Sequence, residues 1–167
     1  VAIVGAAETI MQGTKESGRV HHREDGQFGV FVPLTEKETA QITEKGVTLQ
    51  MDFSLDFHLG QSTFRVYQAR ESVDLFVPAE GEEIPAQGEI LLEQHYAEKH
   101  ELQLGDIFIV GGKEFTVAGI GSTPDYDAAF EKTSDTTVDS NLFGFGFVTA
   151  EDYEALKAGG QNFRTED

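Results

Sequence analysis

Ile107-Phe-Ile-Val-Gly-Gly-Lys-Glu-Phe-Thr-Val-Ala-Gly-Ile120 decides the fold class. Two runs rich in β-branched and aromatic residues, 107–110 and 114–120, flank Gly111-Gly112, and adjacent glycines are free to take the positive φ angles of a tight hairpin turn. Working backwards, Leu102-Gln-Leu-Gly-Asp106 leads into the hairpin, residues 93–101 form a short helix presenting Tyr96 and Ala97, and residues 89–92 form a short strand or entry turn. Residues 78–88 hold Pro78, Gly81, Pro85 and Gly88 and read as a loop between two halves. Working forwards, residues 121–142 are rich in Gly, Ser, Thr and Asp without a clear period, an excursion from the domain. Phe143-Gly-Phe-Gly-Phe147 is a strand whose phenylalanines face the core while its glycines leave the opposite side flat. Thr149 caps a last helix carrying Tyr153 and Leu156, stopped by Gly159-Gly160.

Before residue 78, Ile3, Val4, Ala7, Ile10 and Met11 form a helical stripe over residues 1–12, residues 13–27 are polar and glycine-punctuated like an exposed loop, and residues 27–34 read as a strand. Thr35-Glu-Lys-Glu38 is a capping box, and Lys45-Gly46 ends the helix that it starts. Val47, Leu49, Met51, Phe53, Leu55, Phe57 and Leu59 then alternate with polar residues, which predicts one long strand with a wet face. Gly60-Gln61 turns it into an antiparallel partner over residues 62–70. The expected fold is α+β, mainly antiparallel strands and hairpins with short helices packed on one side, divisible into two small lobes: a helix at 1–12, a first lobe at 13–77, a core segment at 78–158 and a tail at 159–167.

The 167 residues suit one compact domain, and 39% apolar residues can build its core without staples. There is no cysteine, which excludes disulfide scaffolds, thiolate metal sites and a cysteine nucleophile. Twelve basic against thirty acidic residues give a net charge of −18, a field that repels phosphate backbones, so nucleic acid is not an expected partner. No stretch approaches the roughly 18 consecutive apolar residues of a membrane span, and the chain as given is expected to be soluble.

Catalytic and cofactor motifs are not found. Gly111-Gly112-Lys113 lacks the spacing of a phosphate loop, and Glu114 stands where that loop needs Ser or Thr. The glycines around 119–121 and 144–146 do not open a helix in a βαβ unit. His21 and His22 are adjacent, His95 and His100 are five apart rather than four, and His58 lies on the strand's wet face, so no metal site is expected. Asp125-Tyr-Asp127 has the start of a calcium loop without its glycine or its terminal glutamate; weak calcium binding and a solvated turn both stay open. No Gly-x-Ser-x-Gly elbow occurs.

One ordered series is more specific: Gly88-Glu-Ile-Leu-Leu-Glu-Gln-His-Tyr-Ala97, then Leu102-Gln-Leu-Gly-Asp106, then Gly112-Lys-Glu-Phe-Thr-Val-Ala-Gly-Ile120. It resembles the extracytoplasmic, MacB-like periplasmic core domain of FtsX-like and MacB-like ABC transporter permeases, in which Gly-Glu, an apolar strand, a short helix, Leu-x-x-Gly-Asp, a strand, a glycine hairpin and Phe-x-Val-x-Gly-Ile follow in this order. The signature positions here are Gly88, Glu89, Gly105, Asp106, Gly112, Phe115 and Gly119. The likeness extends from about residue 70 to 158, through Val73-Asp-Leu-Phe-Val77 and the helix after the Phe-Gly strand; residues 1–69 fit only by position. Read from chemistry alone, Gly105 permits a turn, Asp106 ties its backbone, and Gly119 marks a bulge or close approach.

The resemblance implies a bacterial membrane protein whose domain is held outside the cell membrane between the first and second transmembrane helices, with residues 1–12 as a juxtamembrane helix. Its partners would be a cognate ABC ATPase acting through the full-length permease, a second permease subunit, and an extracytoplasmic substrate or protein. The domain would need no cofactor and perform no catalysis. A secreted or surface-anchored binding module, and with less support an extracellular hydrolase, are the alternatives. Tyr126 and Phe130, the aromatic residues of the polar excursion, are the candidate contact segment, either tucked onto the core or offered to a partner.

Overall fold

In a computed structural model that describes residues 20, 22–28, 32, 34–125 and 142–166, the strands join in one mixed sheet. The elements in chain order are α1 (Glu36–Thr43), β1 (Ser54–Leu59), β2 (Ser62–Gln68), β3 (Val77–Gly81), β4 (Glu89–Glu93), α2 (Gln94–Lys99), β5 (Ile107–Val110), β6 (Lys113–Ser122), β7 (Phe143–Val148), α3 (Ala150–Gly159) and β8 (Arg164–Glu166). Their spatial order is β3-β6-β4-β7-β2-β1-β8, with β5 beside the first half of β6. The pairs β2–β7 and β4–β6 are parallel, and the other pairings between these strands are antiparallel. The fold is thus α+β with mainly antiparallel strands. Because β7 lies between β4 and β2, the segments before and after residue 78 share one sheet.

Local chemistry sets the turns and caps. Gly60 (φ 64°) turns β1 into β2 so that Leu59 faces Ser62, and Gly111 (φ 57°) and Gly112 (φ 74°) close the β5–β6 hairpin. Thr35 and Glu38 form the expected capping box, each accepting the other's backbone N–H. Thr149 caps α3 by accepting the Asp152 N–H at 3.2 Å, and Gly160 in the left-handed region ends it.

The main core lies under the helices: Tyr96 and Ala97 of α2 and Tyr153 and Leu156 of α3 pack on Phe57, Phe64, Ile90 and Leu92 of the sheet. Both helices therefore cover one side, while α1 has no buried residue. The reverse face carries a second cluster of Tyr67, Phe76, Leu91, Phe143, Phe145 and Phe147. The β7 alternation serves both faces. Its phenylalanines fill the second cluster, and a Cβ on Gly144 would overlap the Tyr96 ring.

Several expectations need correction. The strand predicted over 47–59 begins only at Ser54, because its partner runs out. Gln68, the last residue of β2, gives its N–H to Phe53 O, and beyond it the Gln50 amide oxygen accepts the Glu71 and Ser72 N–H groups instead. Val47 and Met51 are exposed in consequence. Nor is the polar face wet along β1: Ser54 and Asp56 are buried there, while Thr48, Asp52 and His58 of the predicted face are exposed. The loop expected at 78–88 shrinks to 82–88, since residues 77–81 form β3. Pro78 is tolerated there because β3 ends the sheet path and pairs on one side only. Of the strand expected at 27–34, the described residues 27, 28, 32 and 34 have no strand structure, and Phe28 and Val32 are exposed. The helix expected at 1–12 and the residues Tyr126, Asp127 and Phe130 lie outside the described residues. No described helix is long and apolar enough to cross a membrane.

Candidate functional site

Five of the seven signature positions form three backbone closures around β4 and β6. Gly88 (φ 80°) donates its N–H to Asp152 Oδ2 of α3 at 2.8 Å, and Glu89 accepts the Ala86 N–H at 2.9 Å while returning its own N–H to Ala86 O. Gly105 (φ 87°) donates to Val117 O at 2.8 Å, and Asp106 ties the turn by accepting the Gln103 N–H at 2.8 Å. Gly119 lies at a register shift, where Ile90 faces Val117 but Leu91 faces Gly119. A Cβ on Gly119 would overlap the Glu82 carbonyl oxygen. The extra residue lets Val117 and Ile120, three apart on one strand, both pack on the main core. Gly112 serves the hairpin, and Phe115 is a core residue, 1% exposed. These positions hold the segment's shape; they do not converge on a reacting group.

The described histidines have local roles. His58 stacks on Phe163 with centroids 3.9 Å apart, His100 lies 4.1 Å from the Tyr96 ring, and His95 Nδ1 is 2.6 Å from Glu93 Oε1. His22 Nδ1 is 2.9 Å from Ser72 O. Among the described residues no group of three or more His, Asp or Glu side chains is placed to hold a metal ion. Lys113 lies 3.5 Å from Asp152 and 5.9 Å from the Phe115 ring centroid, as a hairpin residue rather than a phosphate ligand.

Two polar centres escaped the sequence reading. On the reverse face, Arg65 of β2 pairs with Asp56 of β1 through Nε–Oδ1 (2.7 Å) and Nη2–Oδ2 (2.9 Å), with both side chains buried and the guanidinium 5.3 Å from the Phe143 centroid. The hairpin turn already contained this signal: with Leu59 opposite Ser62, Asp56 must face Arg65.

The second centre surrounds Arg70, whose side chain is 5% exposed and lies over Tyr67 and Phe147. Its Nε donates to Asp52 Oδ1 (3.0 Å), its Nη1 meets Asp125 Oδ2 (2.9 Å), and Asp74 O lies at 3.3 Å. Asp74, with φ 49°, accepts the Glu24 N–H on Oδ1 at 3.0 Å. Burial works against the Arg70 charge, but Asp52 and Asp125 outweigh it and hold the guanidinium above its ordinary value. Burial raises the Glu24 carboxyl, helped by Asp74 and Asp125; burial also raises Asp74, again helped by Asp125. No sequence spacing links these four segments.

An open groove of about 540 Å³ lies beside α2, where Leu102, Leu104 and Ile120 offer apolar surface and Glu80 and Glu98 carboxylates. Comparison of the chain with protein-family models, curated proteins and solved structures finds no match.

Proposed function

We propose that the chain is the extracytoplasmic domain of an ABC transporter permease, lying between its first and second transmembrane helices. It engages an extracytoplasmic substrate or partner protein and passes on motion driven by ATP hydrolysis inside the cell. The observation that carries this reading is the ordered series from Gly88 to Ile120. Further support comes from where its elements lie: β4, β5 and β6 form one contiguous part of the sheet with α2 packed on it, and glycines and Asp106 lie at its turns. The signature residues act as scaffold, as befits a domain that binds and transmits rather than reacts. On this reading the groove beside α2 is the first candidate contact surface, together with the segment of Tyr126 and Phe130.

The reading frame flanking residues 1–167 tests the proposal. An apolar segment of about 20 residues should precede Val1, another should follow Asp167 within a few tens of residues, and two further spans should come later. A cleavable signal peptide with no later span would instead make the chain a secreted binding module. Titration of the domain with magnesium-ATP should give no heat of binding; micromolar affinity would reopen the Gly111-Gly112-Lys113 turn as a phosphate site.

A further inference from the structure

Among the described residues the sheet has three outer strands, β3, β5 and β8, and two of them are guarded. β3 carries Pro78 and a register shift between Pro78 and Glu80, and two of the three residues of β8, Arg164 and Glu166, are charged. Proline, bulges and charge are the usual devices that keep an edge from pairing with another chain. β5 lies on the same flank of β6 as β3, opposite β4, and reads Ile107-Phe-Ile-Val110 with none of them. Its hydrogen-bond phase is fixed at both ends. Val110 faces Lys113 across the two-residue turn, and Asp106 O accepts the Val117 N–H at 2.9 Å. Phe108 and Val110 therefore bond to β6, while the N–H and C=O groups of Ile107 and Ile109 point outward. No described strand pairs with them there. Phe108 and Val110 belong to the main core, so the Ile107 and Ile109 side chains stand on the reverse face, 56% and 55% exposed.

Charge decides what this edge accepts. Along the flank, residues 77–84 and 104–116 hold Glu80, Glu82, Glu83, Asp106 and Glu114 against Lys113 alone, which lies 3.5 Å from Asp152. All five acidic residues are exposed, and so are the apolar Ile84 and Leu104. Glu114 faces Ile109 across the ladder, Asp106 lies one step before β5, and Glu82, which donates its N–H to Ala118 O at 2.9 Å, follows β3 on the same flank. We propose that β5 is a docking edge for an extended basic segment of a partner protein, one that carries apolar side chains on one face and lysine or arginine on the other and at its ends. The segment pairs with the backbone groups of Ile107 and Ile109 and lays its apolar side chains beside these two isoleucines. Its cations meet the acidic residues of the flank. A second copy of this chain does not suit the edge, because each copy carries a net charge of −18. The docking edge stands whether or not the chain is a permease domain.

Residue-resolved amide exchange of the 167-residue chain, measured by NMR during titration with the capped peptide acetyl-Lys-Val-Lys-Val-Lys-Val-Lys-amide, tests it. In the free chain the Ile107 and Ile109 amides should exchange fast and those of Phe108 and Val110 slowly. With peptide at about ten times its dissociation constant, exchange at Ile107 and Ile109 should slow roughly tenfold, since only the unbound fraction exchanges. Phe115 serves as the reference for an intact fold. Ile109→Lys, an exposed substitution that guards the edge and repels the peptide, should abolish the effect and leave the reference unchanged. Glu82→Gln/Glu114→Gln should weaken binding several-fold, and the acidic counterpart acetyl-Glu-Val-Glu-Val-Glu-Val-Glu-amide should not bind. No slowing at Ile107 and Ile109, equal slowing by the acidic peptide, slowing that persists in Ile109→Lys, or undiminished affinity in the double variant overturns the proposal. So does protection of Ile107 and Ile109 already present in the free chain: independent of protein concentration, it means that another part of the chain covers the edge, and rising with concentration, that a second copy does.

Discussion

On the helix-covered face, Phe57, Phe64, Ile90 and Leu92 meet Tyr96 and Tyr153, whose phenol oxygens end on Ser62 Oγ at 3.5 Å and on Ser54 O at 3.3 Å. On the reverse face, Phe143, Tyr67 and Phe147 meet no such helix among the described residues; guanidinium groups lie over their rings, Arg65 over the first and Arg70 over the other two. Where the described helices leave a sheet face uncovered, side chains of the sheet itself can therefore keep it dry. Planar guanidinium groups cover aromatic faces and carry their charge to the carboxylates of Asp52, Asp56 and Asp125. The cost is that the second face depends on ion pairs that must stay complete, whereas the first depends on shape.

The sharpest way to break this contrast is to remove one half of the buried pair. Arg65→Met should cost about 3–5 kcal/mol in urea denaturation, because Asp56 is left buried and uncompensated, and adding Asp56→Leu should recover most of the loss. A cost under about 1 kcal/mol would mean that the reverse face is effectively wet. Shape is probed next by Gly144→Ala, whose new methyl meets the Tyr96 ring; it should cost about 1–3 kcal/mol on the helix-covered face without touching a charge.

The same logic separates two helix caps of like chemistry. Thr149→Ala should lower global stability by about 1 kcal/mol, since α3 is part of the main core, whereas Thr35→Ala should stay within about 0.5 kcal/mol because α1 buries nothing. The smallest effect is one of pH. The Thr35 N–H and hydroxyl hold the Glu38 carboxyl below its ordinary value, so the support it gives α1 is present at neutral pH and fades as pH falls through that lowered value. Exchange protection of α1 should therefore fall between pH 5.5 and 3.5.

Much of the fold follows from short-range signals. Gly60-Gln61 and Gly111-Gly112 place the hairpins, Thr35 and Thr149 start helices, Gly160 ends one, and the Phe-Gly alternation of β7 assigns its two faces. These are legible because φ preference, capping and side-chain alternation act within a few residues of the chain. Asp56 opposite Arg65 was legible too, once the turn fixed the register. The tertiary structure alone decided the rest. The parallel pairings of β2 with β7 and of β4 with β6 join segments far apart in sequence, and β1 starts at Ser54 because β2 offers no partner beyond Gln68. The Arg70 junction draws on residues 24, 52, 74 and 125, each at the end of a different connection. Their meeting depends on where the sheet delivers those ends, a long-range outcome that no local spacing of residue types encodes.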